Sequence, residues 1–105
     1  MRLPSSIFSG YHGACHCQGI AVDLKNGYIY YSFTTKLIKA NLAGHIVGSV
    51  DGLIGHLGCI DFCEEDGRVY GSLEYKNDVI GRGILHHLDM ADKQIPNAFY
   101  CAIFD

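Results

Sequence analysis

Residues 16–33 (HCQGIAVDLKNGYIYYSF) recur forty residues later, with no gap, as residues 56–73 (HLGCIDFCEEDGRVYGSL). His16/His56, Ile20/Ile60, Gly27/Gly67, Tyr30/Tyr70 and Ser32/Ser72 are identical, and Val22/Phe62, Asn26/Asp66, Ile29/Val69 and Phe33/Leu73 are chemically alike. Composition alone gives about one identity over such a window. A chain built this way folds as repeated units, and each unit depends on its neighbours to cover the faces it cannot bury itself.

The residues inside each unit set its type. Residues 18–23 (QGIAVD) and 28–33 (YIYYSF) are short β-branched and aromatic runs separated by LKNG, whose Asn-Gly pair predicts a tight hairpin with positive φ angles. Residues 36–42 and 45–50 repeat the pattern around Ala43-Gly44, completing a four-stranded meander. The second unit restarts at residues 58–63, turns through EEDG and continues at 68–75. A forty-residue period of four strands is the size of one β-propeller blade.

After Lys76 the second unit departs from the first. An insertion over residues 76–96 precedes a β-prone run at 99–104, read as its third strand. Within the insertion Ile84, Leu85 and Leu88 fall at helical spacing and Pro96 bars continuation, which predicts a short helix. The chain thus reads as all-β: about two four-stranded antiparallel blades of an incomplete β-propeller, with an N-terminal segment at 1–15, a first blade at 16–55 and an incomplete second blade at 56–105. Ile29, Tyr30, Tyr31 and Phe33 are apolar on both sides of the pleat, as in a sheet sandwiched between neighbours. Exposed blade faces predict either missing blades or self-association.

Totals exclude several classes. Eleven acids against eight bases give a net charge of -3, and the bases form no stripe of the kind nucleic acid or anionic lipid requires. No apolar run approaches the ~20 residues of a membrane span. Five cysteines, an odd set, and an N-terminus without an apolar leader stretch read as buried free thiols in a reducing cytoplasm. There is no GxSxG elbow, HExxH pair, GxxxxGK[ST] loop or complete EF-hand, and Gly81-Arg82-Gly83 lacks the third glycine and the βαβ setting of a dinucleotide loop.

GIAVD, NGYIYYSF and LIKANLAGHIVGSV together resemble one blade of the NHL, gluconolactonase and quinoprotein-like propeller superfamily. The resemblance covers about residues 16–75 and implies a propeller. It also implies a range of roles, from lactonases, lyases and esterases with a metal in the central channel to non-catalytic binding scaffolds. The carboxylate and Asn calcium ligands of gluconolactonase-like enzymes have no matching motif in this chain.

Topology sorts the polar residues. His16 and His56 precede the first strand of successive blades, and the connections after the second strands supply Thr34, Thr35 and Lys36 from one blade and Glu74, Tyr75, Lys76, Asn77 and Asp78 from the other. In a propeller all of these face one side. On the functional reading His16 and His56, joined by His12 and a carboxylate such as Glu74, converge on a divalent metal, for which zinc, manganese or iron suits imidazole better than calcium. On the structural reading the repeated histidine caps a turn. Lys36, Glu74, Tyr75, Lys76 and Asp78 are the candidate ligand-binding set, or else a solvated loop. Cys15-His16-Cys17 has the wrong spacing for a metal knuckle, His86 and His87 read as an exposed pair on the short helix, and Tyr28, Tyr30, Tyr31 and Tyr70 read as filling between blades.

Two functions follow. The first is a partial propeller binding module that engages a small polar ligand or a protein partner. The alternative is a fragment of a metal-dependent hydrolase or lyase acting on carbohydrates or lactones, with the metal polarising a carbonyl or activating water.

Overall fold

A computed structural model describes residues 3–13, 15–76, 79–90 and 97–105. Two antiparallel sheets account for most of it. The first is a four-stranded meander of β1 (Gly19–Asp23), β2 (Tyr28–Ser32), β3 (Leu37–Asn41) and β4 (Ile46–Val50), in that spatial order. The second has three strands, β5 (His56–Cys63), β6 (Arg68–Tyr75) and β7 (Ala98–Phe104), with helix α1 (Val79–His87) between β6 and β7. Each strand lies where its hydrophobic run predicts, and β5 begins two residues earlier because His56 pairs with Glu74 across a bulge.

The hairpins differ in detail from the expected two-residue turn. The β1–β2 loop has four residues, closed by the Gly27 N–H donating to the Asp23 carbonyl at 2.9 Å, and Gly67 does the same to Cys63 at 2.9 Å. Only the glycine of each pair takes a positive φ, 75° at Gly27 and 71° at Gly67. Asn26 instead donates its backbone and side-chain N–H groups to the Asp23 carboxylate at 3.1 and 2.9 Å. A tight Asn-Gly turn needs positive φ at both residues, and the Asp23 carboxylate holds Asn26 in the other arrangement. In the β3–β4 turn Asn41 Oδ1 accepts from Ala43 and His45, with Gly44 at φ 89°.

In the second hairpin Asp66 accepts the Arg68 N–H at 3.0 Å and the Tyr70 hydroxyl. The Tyr70 hydrogen bond above all holds the Asp66 carboxyl below its ordinary value of 3.8 and lifts the Tyr70 phenol above 10.0. A depressed acid contributes stability above its unfolded value that disappears as pH falls through the folded one, and a raised phenol contributes below its unfolded value and loses it as pH rises. Stability from this hairpin is therefore flat between those two limits. Replacement of Asp66 by Asn should flatten the acid limb of a plot of denaturation midpoint against pH; a limb identical to that of the unsubstituted protein would contradict the assignment.

The sheets stack. Strand alternation sends Tyr30 and Leu37 of the first sheet toward Leu57, Ile60, Phe62, Val69 and Leu73 of the second, and these side chains share one core. Tyr30 and Phe62 stack with ring centroids 5.7 Å apart. The first sheet meets β5 closely: Ser32 Oγ of β2 donates to the Gly58 carbonyl at 2.6 Å, and a Cβ at Gly19 of β1 would stand 3.0 Å from the same oxygen. The opposite face of the first sheet buries Ile29, Tyr31, Phe33, Ile38 and Ala40, with Ile7 and Cys15 of the N-terminal segment packed on them. That segment covers part of this face and leaves Ile20 and Val22 exposed.

Two faces remain less well covered, and the molecule is accordingly elongated. Its extents are 47 × 29 × 18 Å, with a radius of gyration of 14.4 Å against about 13 Å for a compact chain of this length. The cysteines follow from this. All five are thiols, as expected, but Cys17, Cys59 and Cys101 are exposed and Cys15 and Cys63 only partly covered. The expectation of buried thiols fails because Cys59 and Cys101 sit on the open face of the second sheet.

Candidate functional site

His56 is the first residue of β5 and is paired with Glu74 of β6, so the two side chains share one face at one end of the second sheet. Its Nε2 is buried and has no hydrogen-bond partner in the protein. Buried polar atoms are nearly always satisfied, so an orphaned imidazole nitrogen marks a place where something else is expected to bond. Beside it the Glu74 carboxylate accepts from Lys76 Nζ at 2.5 Å, and the same ammonium lies 5.7 Å from the centre of the Phe99 ring.

Helix α1 completes the enclosure. Ile80, Gly81 and Ile84 line a pocket of about 190 Å³ together with His56, Glu74 and Lys76. Ile84 and Leu85 anchor the helix, 8% and 0% exposed respectively, and His87 in its last turn reaches the N-terminal segment at Gly13. The helix forms despite two glycines in nine residues, each costing about 1 kcal/mol against alanine. Tertiary packing of Ile84 and Leu85 offsets that cost. A Cβ at Gly83 would meet nothing within 4 Å, so Gly83→Ala should raise stability by about 0.5–1 kcal/mol, measured as an increase in Tm; a decrease would show that α1 packs differently.

The residues expected to converge are placed as follows. His56, Glu74 and Lys76 come together. Tyr75 does not join them, because successive strand residues point to opposite faces: its half-buried ring packs against the core between the sheets and edge-on to Tyr100, centroids 5.3 Å apart. Lys36 and His12 line a separate pocket with Ser49 and Asp51. There His12 Nε2 lies 2.7 Å from the Ser9 carbonyl and the ring packs on Phe33, centroids 4.6 Å apart. His16 is exposed on the segment leading into β1. Asp78 and Asn77 lie outside the described residues. Among the described residues no three His, Cys, Asp or Glu side chains are grouped to hold a metal ion.

The separation of Lys36 from Glu74 has a backbone cause. Thr34 adopts φ 52°, unusual for a β-branched residue, and its carbonyl accepts the Leu57 N–H at 2.8 Å while that of Thr35 accepts Leu53 at 3.0 Å. The first connection is spent gripping the chain that enters β5. What the sequence reading missed is the apolar wall: Ile80 and Ile84 are spaced i, i+4 and share a helix face, a signal present in the insertion once the helix is started at Val79 rather than near Ile84. His86 and His87 are exposed, as the helix pattern predicts.

No protein-family model, curated protein or solved structure matches the chain. Among the described residues no helix is long and apolar enough to cross a membrane.

Proposed function

We propose that this chain is a partial β-propeller binding module, of the kind that NHL, gluconolactonase and quinoprotein-like repeats build, whose pocket at His56, Glu74 and Lys76 takes a small polar ligand. The observation that carries this reading is the buried, unpartnered His56 Nε2 at a pocket that also holds an ion pair and two isoleucines. A group that hydrogen-bonds to the imidazole satisfies the orphaned nitrogen, and a short apolar portion rests on Ile80 and Ile84. The volume of about 190 Å³ is below the 300 Å³ or more typical of drug-sized ligands. The ligand is therefore small, or only the terminal group of a larger one enters.

Support for the propeller part is the forty-residue repeat together with the close approach of β1 to β5, the first strands of the two sheets. The reading as a metal-dependent hydrolase or lyase has no comparable support, since no three His, Cys, Asp or Glu side chains are grouped among the described residues, and the pair of His56 and Glu74 falls short of such a group.

The test is NMR of the His56 imidazole during titration with propionate, methylammonium and glucose as an anionic, a cationic and a neutral probe. A saturable shift of His56 with at least one probe, absent from the His12 and His16 signals and lost in Ile84→Asp, is expected. No shift with any of the three would overturn the pocket.

A further inference from the structure

Each face of the two sheets has a counterpart forty residues away. Ser32 is buried and Tyr30 half-buried between the sheets, the ring on Phe62 and the hydroxyl on the Gly58 carbonyl. Their repeats, Tyr70 and Ser72, lie on the outer face of the second sheet, which is open. Cross-strand register puts Ile103 beside Tyr70 and Cys101 beside Ser72. Ser72 and Cys101 are exposed at a shallow cavity of about 360 Å³, and Ile103 beyond it is 55% exposed.

The covering side of the internal contact is Ile60 and Phe62 of β5. Their repeats are Ile20 and Val22 of β1, which the N-terminal segment leaves 56% and 37% exposed although it covers Ile29 and Tyr31. One end of the two-sheet unit therefore displays the Tyr/Ser half of a contact, and the other end displays the Ile/Val half. The two halves are joined once already, in the middle of the chain.

We propose that the open face of the second sheet docks a second copy of this chain head to tail, with Tyr70, Ser72 and Ile103 meeting Ile20 and Val22 of that copy as Tyr30 and Ser32 meet Ile60 and Phe62 within one. The occupant is a second copy because this chain carries both halves of the surface and demonstrates their fit internally. The charged side chains of this face are Asp61 at its centre and, at the two ends of β6, Arg68 and Glu74, which are ion-paired within the chain to Asp105 and Lys76, so the unpaired charge that docking buries is that of Asp61. One feature widens the contact: the position of Gly19 is taken by Cys59, and a Cβ at Gly19 would stand 3.0 Å from the facing Gly58 carbonyl, so the docked sheet stands off by a few tenths of an ångström. Docking covers Cys59 and Cys101. A head-to-tail contact repeats until it closes, and propellers of about four to eight sheets correspond to rings of two to four copies. Ring closure rests on the propeller reading, whereas pairwise docking does not.

Sedimentation velocity from micromolar to submillimolar protein tests this with Ser72→Arg on one face and Ile20→Arg on the other, both at exposed positions and checked for folding by circular dichroism. The unsubstituted chain should grow from 11.5 kDa to multiples of it with concentration. Each variant alone should stay monomeric, and an equal mixture should form a 1:1 dimer and nothing larger, since each supplies the face the other has lost. Alkylation of Cys59 and Cys101 in the unsubstituted chain, mapped by mass spectrometry, should slow at least tenfold as protein concentration rises, while that of Cys17 is unchanged. A chain that is monomeric throughout, or variants that assemble like the parent, or a mixture that remains monomeric, overturns the proposal. His56 and Glu74 lie on this same face beyond Ser72, so the His56 titration is run at the lowest protein concentration, where no second copy covers it, and its outcome is then read separately from these three.

Discussion

Truncation of Leu57 to alanine should lower the unfolding free energy by about 3 kcal/mol, within the 2–5 kcal/mol span for buried leucines. Leu57 is 0% exposed and stands where the two sheets meet, in one cluster with Leu37, Val69 and Leu73. Its surroundings have little freedom to collapse onto the cavity. A Cβ at Gly71 would lie only 2.8 Å from Leu57 Cδ1, so that side of the space is bounded by strand backbone, and Leu37 belongs to the other sheet. For a domain of ordinary stability, about 5–15 kcal/mol in total, this is a large fraction. Urea denaturation should show a lower midpoint with an unchanged slope. A loss below about 1 kcal/mol would mean that the sheets do not share a core.

Gly55→Ala is expected to be the most damaging single-methyl change. The added Cβ would stand 2.9 Å from the Glu74 carbonyl and 2.8 Å from Tyr75 Cε1. The half-buried tyrosine ring is held between the core cluster and Tyr100 and the carbonyl belongs to β6, so neither gives way cheaply. The cost is about 2 kcal/mol, typical of overpacking a tight site. Because Gly55 precedes His56, the strain also displaces the imidazole from its place beside Glu74. Denaturation and the His56 NMR signal measure the two effects separately. Wild-type stability with an unmoved His56 signal would show that the close approach of this segment to β6 is not as described.

Much of the fold is legible in the chain. Alternating apolar runs such as YIYYS and LIKAN pair with their neighbours because adjacent hairpins of short loop length leave antiparallel pairing as the nearest way to satisfy the backbone, and Gly27 and Gly67 mark where each loop reverses. The helix is legible from Ile84 and Leu85, with Leu88 one residue past its end, though its start is not, because Gly81 and Gly83 mask the periodicity. The site is legible in part. His56 and Glu74 are recognisable as residues at the same end of adjacent strands, but their direct pairing depends on the β5 bulge, which shifts the register between Leu57 and Ile60 and leaves no trace in residue type.

By itself the sequence determined the repeat, the order and type of the strands, and the presence of a helix in the insertion, because these depend on contacts between residues close along the chain. Only the tertiary structure decided that Tyr75 turns into the core while Glu74 joins His56, that the Thr34 and Thr35 carbonyls are committed to the segment entering β5 so that Lys36 falls beside His12, and that Cys59 and Cys101 lie on an open face. Those outcomes follow from which face of one sheet meets which face of the other, and a local pattern that is the same in both repeats carries no information about which copy ends up covered.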